Sequence, residues 1–381
     1  MTRVFLAILT DTWRQSKQQL VFLLVMGAMG VFSIGWVLLC RVAPTPAGTY
    51  VATFPVGGQP KFGYEVMWDG QYAELLVGEK RRRVLAEPQV EYARAAAEED
   101  RLARDLYFAQ AHKDPPEVQA SIAQELKTAQ ARSTEKEKTL KKLSDEINDE
   151  ARKLIEERAG GISPLEKGVE VWLSWGVLVL VYLAILGFIA AGSGYFPAML
   201  AAGAVDVLVA KPVTRAAIFL GKYLSGLLLM SAAVFGALIL LFIGTGFKTG
   251  IWHVRLFAAM PVIVFIVALI YAVVLCVGVL TRSTPLAIVV GYIYYGVIEM
   301  GIYALQRVDE WVSGAGVDMP TLRTIGEVMR WGFPGFARLH SAAEAAVLDI
   351  PIFDWQPLIV GTVWLAVLLG AAYAWFARTD F

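Results

Sequence analysis

Two cysteines and three histidines in 381 residues leave little for metal or thiol chemistry to work with. Cys40 and Cys276 both sit inside apolar runs, where a thiol behaves as a small hydrophobe. Neither a disulfide framework nor a metal cluster is implied. His112, His253 and His340 are scattered over separate segments, so no nucleophile or metal site of recognisable spacing arises. The G-x-x-x-x-G-K-[ST] phosphate loop is also missing. "GFIAAGSGYF" and "FLGKYLSG" carry glycines without the spacing or the Lys-Ser/Thr ending. The chain is therefore not expected to hydrolyse ATP by itself, to be an enzyme, or to hold a cofactor. An excess charge of one sign is lacking too, since Lys plus Arg equals Asp plus Glu at 34 each. That balance gives no reason to look for acidic partners, and nucleic acid is not among those expected.

What is abundant is apolar surface. Hydrophobic residues make up 57% of the chain and the mean hydropathy is +0.55, more than a soluble domain can bury. Six stretches meet the length of about 20 mostly apolar residues that a membrane crossing needs: 20–42, 171–191, 217–246, 256–280, 285–305 and 357–377. The expected fold is an all-α polytopic membrane protein with six transmembrane helices and an extracytoplasmic α+β insertion at 43–170 containing a helical hairpin. The remainder, 171–381, carries the last five spans. Arg3, Arg14, Lys17, Lys211, Arg215, Arg282 and Arg378 fall on one side, which places both termini in the cytosol. Lys248 and Arg255, in a short outer loop, disagree with that assignment. The first run, followed by "CRVAPTPA", also permits a cleaved or lipidated leader, although it is long for a signal core.

Residues 1–19 read as an interfacial helix. Val4, Phe5, Ile8, Leu9 and Trp13 fall mostly on one helical face, with Arg3, Asp11, Arg14, Lys17 and Gln18 largely opposite. In the insertion, the stretch from Thr49 to Leu85 has Gly and Pro punctuation with alternating apolar positions, which suits short strands. Glu91 to Lys113 and Glu117 to Arg158 read as two charged helices broken at Pro115 and Pro116. Leu140, Leu143, Ile147 and Leu154 form an apolar seam on the second of them. That seam serves either self-packing within the hairpin or a partner or second protomer.

The most distinctive polar stretch is "FPAMLAAGAVDVLVAKPVTRAAIFLGK", lodged between the second and third spans. Pro197 and Pro212 bracket a short helix too brief to span, within a segment delimited as 197–215. Asp206, Lys211 and Arg215 can face the cytosol, while Met199, Val205, Leu208 and Val209 turn to the membrane or to a cleft on another protein. Gly203, Leu208, Pro212, Val213, Thr214, Arg215, Gly221 and Lys222 match the pattern found at this place in permease subunits of the ABC-2 (type V exporter) family. The chain resembles that family over most of its length, including its "WFARTDF" ending. The resemblance implies that 197–215 contains a coupling helix docking into a separate ATPase subunit. Asp206, Leu208, Val209, Lys211, Pro212, Arg215 and Lys222 would then be the coupling residues. ATP and Mg would belong to that partner. It further implies a second permease copy or homologue, lipid contact, and residence in a bacterial inner membrane.

In the fifth span Tyr292, Tyr295, Glu299 and Tyr303 recur at three- and four-residue steps and share one helical face. A carboxylate in hydrocarbon by default marks a lined cavity, though Glu299 lies toward the outer end, where simple helix packing also suffices. The outer segment 306–356 carries Trp331, Phe333, Pro334, Gly335 and Phe336. These suit an aromatic belt or, in the resembling family, short helices capping a cavity. Three functions stay open: an exporter permease driven by a separate ATPase, a subunit transmitting ATP-driven motion to an extracytoplasmic partner of the hairpin, and a non-transporting scaffold.

Overall fold

The computed structural model describes residues 2–18, 20–44, 50–53, 64–159, 161–200, 214–298, 300–305, 320–351 and 354–378. They are nearly all helical. Six helices are long and apolar enough to cross a membrane: Leu20–Leu39, Pro164–Met199, Arg215–Thr249, Val254–Thr281, Thr284–Leu305 and Gln356–Arg378. Local chemistry sets their ends. Ser163, Thr214 and Ser283 cap the second, third and fifth spans by accepting the backbone N–H three residues on. Gly250 and Arg282, both left-handed, close the third and fourth. The fifth span is not a uniform α-helix. Its regular turns stop at Ile293 and a π-turn occupies Tyr294–Ile298.

The chain divides into two compact units, Met1–Trp68 with Ile162–Gly301 and Arg330–Phe381, and Asp69–Gly161 with Ile302–Met329. In the first unit the fourth span is the central pillar. Its apolar window is 83% buried, against 17% for the first and last spans, whose outer faces are left to lipid or to another protein. The second, third, fifth and sixth spans pack around it, and the first span lies against the second and third.

Lys248 and Arg255, which run against the charge rule, both have structural work. The Lys248 ammonium donates to the carbonyls of Val37 and Leu38 at 2.9 and 2.8 Å, satisfying the C-terminal end of the first span. Arg255 pairs with Asp349. Cys40 is wholly buried among the membrane helices.

The insertion differs from its expected form. One antiparallel ribbon pairs Arg41–Pro44 with Tyr50–Thr53, in register from Arg41 opposite Thr53 to Pro44 opposite Tyr50. The further strands expected up to Leu85 are replaced by a helix that starts at Tyr64 and runs to Ala111, with Pro88 inside it. The reason is periodicity. Ala73, Leu76, Val77 and Leu85 recur at helical steps and pack against Leu140, Leu143, Ile147 and Ala151 of the next helix, Pro116–Ala159. What looked like strand alternation is one face of a helix punctuated by Gly70 and Gly78. The hairpin turns at Lys113, whose φ of 55° reverses the chain. Lys80 pairs with Glu150 at 2.5 Å and Lys136 with Glu91 at 2.6 Å, so partner numbers run in opposite directions, as an antiparallel hairpin requires. Three of the four seam residues are thus used in self-packing.

Candidate functional site

Two clusters of buried polar side chains stand out in the first unit. The first joins the N-terminal helix, Thr2–Gln18, to the start of the third span. Ile8, Thr12 and Ser16 are buried and recur every four residues, so one stripe of the helix is turned inward. Ile8 fits the notch left by Gly221, where an added Cβ would stand 2.8 Å from its Cδ1. The Thr12 hydroxyl lies 3.1 Å from that of Ser225, and the Ser16 hydroxyl 2.7 Å from that of Tyr195. Beside them the Lys222 ammonium donates to Asp11 Oδ2 at 3.1 Å. The pair is lopsided: the lysine side chain is 3% exposed and the aspartate 57%. The cation is the partner that has left water, and the carboxylate is what makes its burial tolerable. Below the seam, Tyr223 and Tyr271 stack at 5.2 Å with Tyr195 edge-on to Tyr271, and the Tyr223 hydroxyl donates to the Ala268 carbonyl at 3.0 Å.

Arg215 opens the third span and donates to the Ala377 carbonyl at 2.7 Å. Its cation therefore sits at the carbonyl end of the last span, where the helix dipole favours it.

The second cluster is built from the second span, the π-turn of the fifth and the helix Phe336–Val347. His340 and Tyr182 meet edge to face at 4.7 Å between centroids, Tyr295 lies 6.4 Å away, and Phe336 packs against Tyr294 and Tyr295. His340 is 5% exposed, and among the described residues neither ring nitrogen has a hydrogen-bond partner. Burial among rings holds the imidazole neutral and pushes its pKa down to about 4. One helical turn on, burial pushes Glu344 up to about 7. Nearby, His253 Nε2 meets the Val347 carbonyl at 2.8 Å, and its Nδ1 is 3.9 Å from Glu170. The helix is held in place by Arg338, which donates to Asp354 at 3.1 Å and to Gln356 at 3.0 Å, while Phe333 stacks on Trp364. Among the described residues no group of three or more His, Cys, Asp or Glu could hold a metal ion.

Comparison with known families matches residues 86–381 to the ABC-2 family transporter protein model. The chain belongs to the ABC-2 transporter family. No curated protein and no solved structure matches it. As an ABC-2 family membrane protein with six apolar helices, it has the build of a permease subunit.

Of the coupling residues named for this ABC-2 chain, Asp206, Leu208, Val209, Lys211 and Pro212 lie in 201–213, outside the described residues. Arg215 and Lys222 are described. They stand two turns apart at the start of the third span, one bonded to the last span and the other to the N-terminal helix. In the fifth span Tyr295 enters the aromatic cluster, and Tyr292 donates to the Leu186 carbonyl at 2.8 Å. Glu299 lies outside the described residues, and Tyr303 falls in the second compact unit. The π-turn at Tyr294–Ile298 interrupts the α-helical spacing from which their common face was read.

Sequence reasoning missed Asp11, Tyr182, His340 and Glu344. For Asp11 a signal existed: it is the sole acidic residue before Glu65, and a lysine in an apolar span calls for a counter-charge.

Proposed function

We propose that this chain is the membrane-spanning permease subunit of an ATP-driven exporter. A separate ATPase subunit binds ATP and Mg and docks on 197–215, with Leu208 and Val209 filling its groove and Lys211 and Arg215 making polar contacts. Both termini and the docking segment face the cytosol, and the chain pairs with a second permease copy. The ATPase carries the chemistry; this chain carries the motion. The observation that best supports such coupling is the buried seam of Asp11, Thr12 and Ser16 against Lys222, Ser225 and Tyr195. It ties the N-terminal helix to the third span within about three turns of the docking segment. A displacement of 201–213 would move Thr214 and Arg215, and with them the third, last and N-terminal helices.

The test is co-purification of the detergent-solubilised chain with the ATPase of its own host cells. Wild type should bring down a stoichiometric ATPase, and Leu208→Asp and Lys211→Glu should each lose it while the chain stays folded. Retention of the ATPase and of its stimulation by both variants would sink the docking assignment.

A second reading is favoured by the hairpin. Its helices of 48 and 44 residues are each about 70 Å long by helical rise, long enough to work a partner beyond the membrane. Deleting 91–158 separates the two: transport survives the deletion in an exporter and fails in a force transmitter.

A further inference from the structure

A buried histidine whose two ring nitrogens are both unpaired is costly as a mere packing element. Each buried polar group without a partner forfeits hydrogen bonds it had in water, and a phenylalanine would fill much the same volume without that loss. His340 is in this position, 5% exposed and, among the described residues, with neither Nδ1 nor Nε2 hydrogen-bonded. Its neighbours are aromatic: Tyr182 edge-on at 4.7 Å, Tyr295 at 6.4 Å, and Phe336 against Tyr295 at 5.7 Å. Two of the three walls stand at breaks in regular helix geometry. Tyr295 sits in a π-turn, an over-filled helical turn of the kind found at functional positions, and Phe336 follows Gly335, whose φ is 65°.

We propose that His340, walled by Tyr182, Tyr295 and Phe336, is the hydrogen-bonding centre of a binding niche for an uncharged polyhydroxylated group, of the sugar or glycerol type. A neutral imidazole presents one N–H donor and one bare nitrogen acceptor. A hydroxyl answers both needs, since it donates and accepts at one oxygen. Ring faces supply the apolar contact that sugar carbons require, and ligand sites commonly combine such walls with few polar groups. A charged ligand is disfavoured by the same burial that keeps His340 neutral. Glu344, one turn along the same helix, makes no side-chain hydrogen bond or ion pair among the described residues. The ligand's hydroxyls come either from a lipid headgroup or from a free solute. The niche belongs to this chain alone, so it stands or falls separately from the ATPase assignment.

The chain's three histidines make the test direct. The full chain, labelled with [15N]histidine and reconstituted in phosphatidylcholine nanodiscs, gives ring-nitrogen resonances. The pair lost in His340→Phe identifies His340. One arm adds monoglucosyl diacylglycerol to the nanodisc, and the other adds free glucose to the buffer. The His340 resonances shift in the first arm if the source is lipid and in the second if it is solute, while His112 and His253 stay in place. Tyr182→Leu keeps the reporter and weakens apparent binding at least tenfold. His340 resonances that move in neither arm overturn the proposal, as does a shift that Tyr182→Leu leaves at full affinity.

Discussion

Replacing Asp11 by Asn and replacing Lys222 by Met remove the same ion pair and should have unequal effects. At the observed 3.1 Å the gross attraction is about 5 kcal/mol with an effective dielectric near 20. Most of it offsets the several kcal/mol required to strip water from an ammonium group. Asp11→Asn leaves that group buried at 3% exposure with a neutral acceptor in place of the carboxylate. After discounting for the half-exposed carboxylate, the expected loss is about 2 kcal/mol. Lys222→Met removes the buried charge along with its desolvation and fills the same space, so it should lie within about 1 kcal/mol of wild type. The double variant should follow Lys222→Met and not the sum of the two. Apparent melting temperature in detergent, read from the fluorescence of the 11 tryptophans, measures all four corners of the cycle. Equal losses from the two single variants, or an additive double variant, would refute the account of a cation kept buried by its partner.

Gly221→Leu places branched carbons where Ile8 now sits, so the N-terminal helix should lift from the third span. Limited proteolysis would then cut within residues 2–18 at least several-fold faster than in wild type. His340 and Glu344 make opposite contributions to stability against pH. A histidine depressed from 6.5 to about 4 withdraws stability as pH falls through that window, whereas a carboxyl raised from 4.5 to about 7 withdraws it as pH rises. The two nearly cancel in wild type. Glu344→Gln should therefore lose about 2–3 kcal/mol between pH 6.5 and 4, and His340→Phe should lose a similar amount between pH 4.5 and 7, at about 1.4 kcal/mol per unit. Melting curves across pH with slopes of the same sign in both variants would contradict this. In the hairpin, Ile147→Asp buries a carboxylate against Val77 and Leu85 and should cost at least about 3 kcal/mol, seen as loss of cooperative helix melting by circular dichroism.

The six spans were legible because apolar length alone specifies them, and the hairpin's second helix because its seam is periodic. The first hairpin helix was misread over Tyr64 to Leu85, where glycine and alternation mimic strands and where the deciding fact is a partner face 70 residues away in sequence, between Val77 and Ile147. Lys222 was visible as a basic residue in an apolar span, and its burial against Asp11 was not. His340 was dismissed with the other histidines as scattered. Nothing in its neighbours along the chain announces Tyr182 or Tyr295, which converge on it only through folding. The register of the fifth span was drawn from α-helical spacing, and no composition rule foretells that the spacing changes at Tyr294.

The seam between the N-terminal helix and the third span has a consequence for how the protein is made. Asp11 and Lys222 are separated by 211 positions, and the ribosome delivers the aspartate first. At about 5–20 residues per second, the helix waits roughly 10–40 s for its partner. During that delay Asp11 can stay hydrated, because even in the finished protein its carboxylate remains half in water. Lys222 meets the opposite circumstance, arriving late and entering an apolar site with its counter-ion already present. The order of synthesis spares the buried cation any period without an anion, and a circularly permuted chain that emerges from the ribosome with the third span first would forfeit that protection.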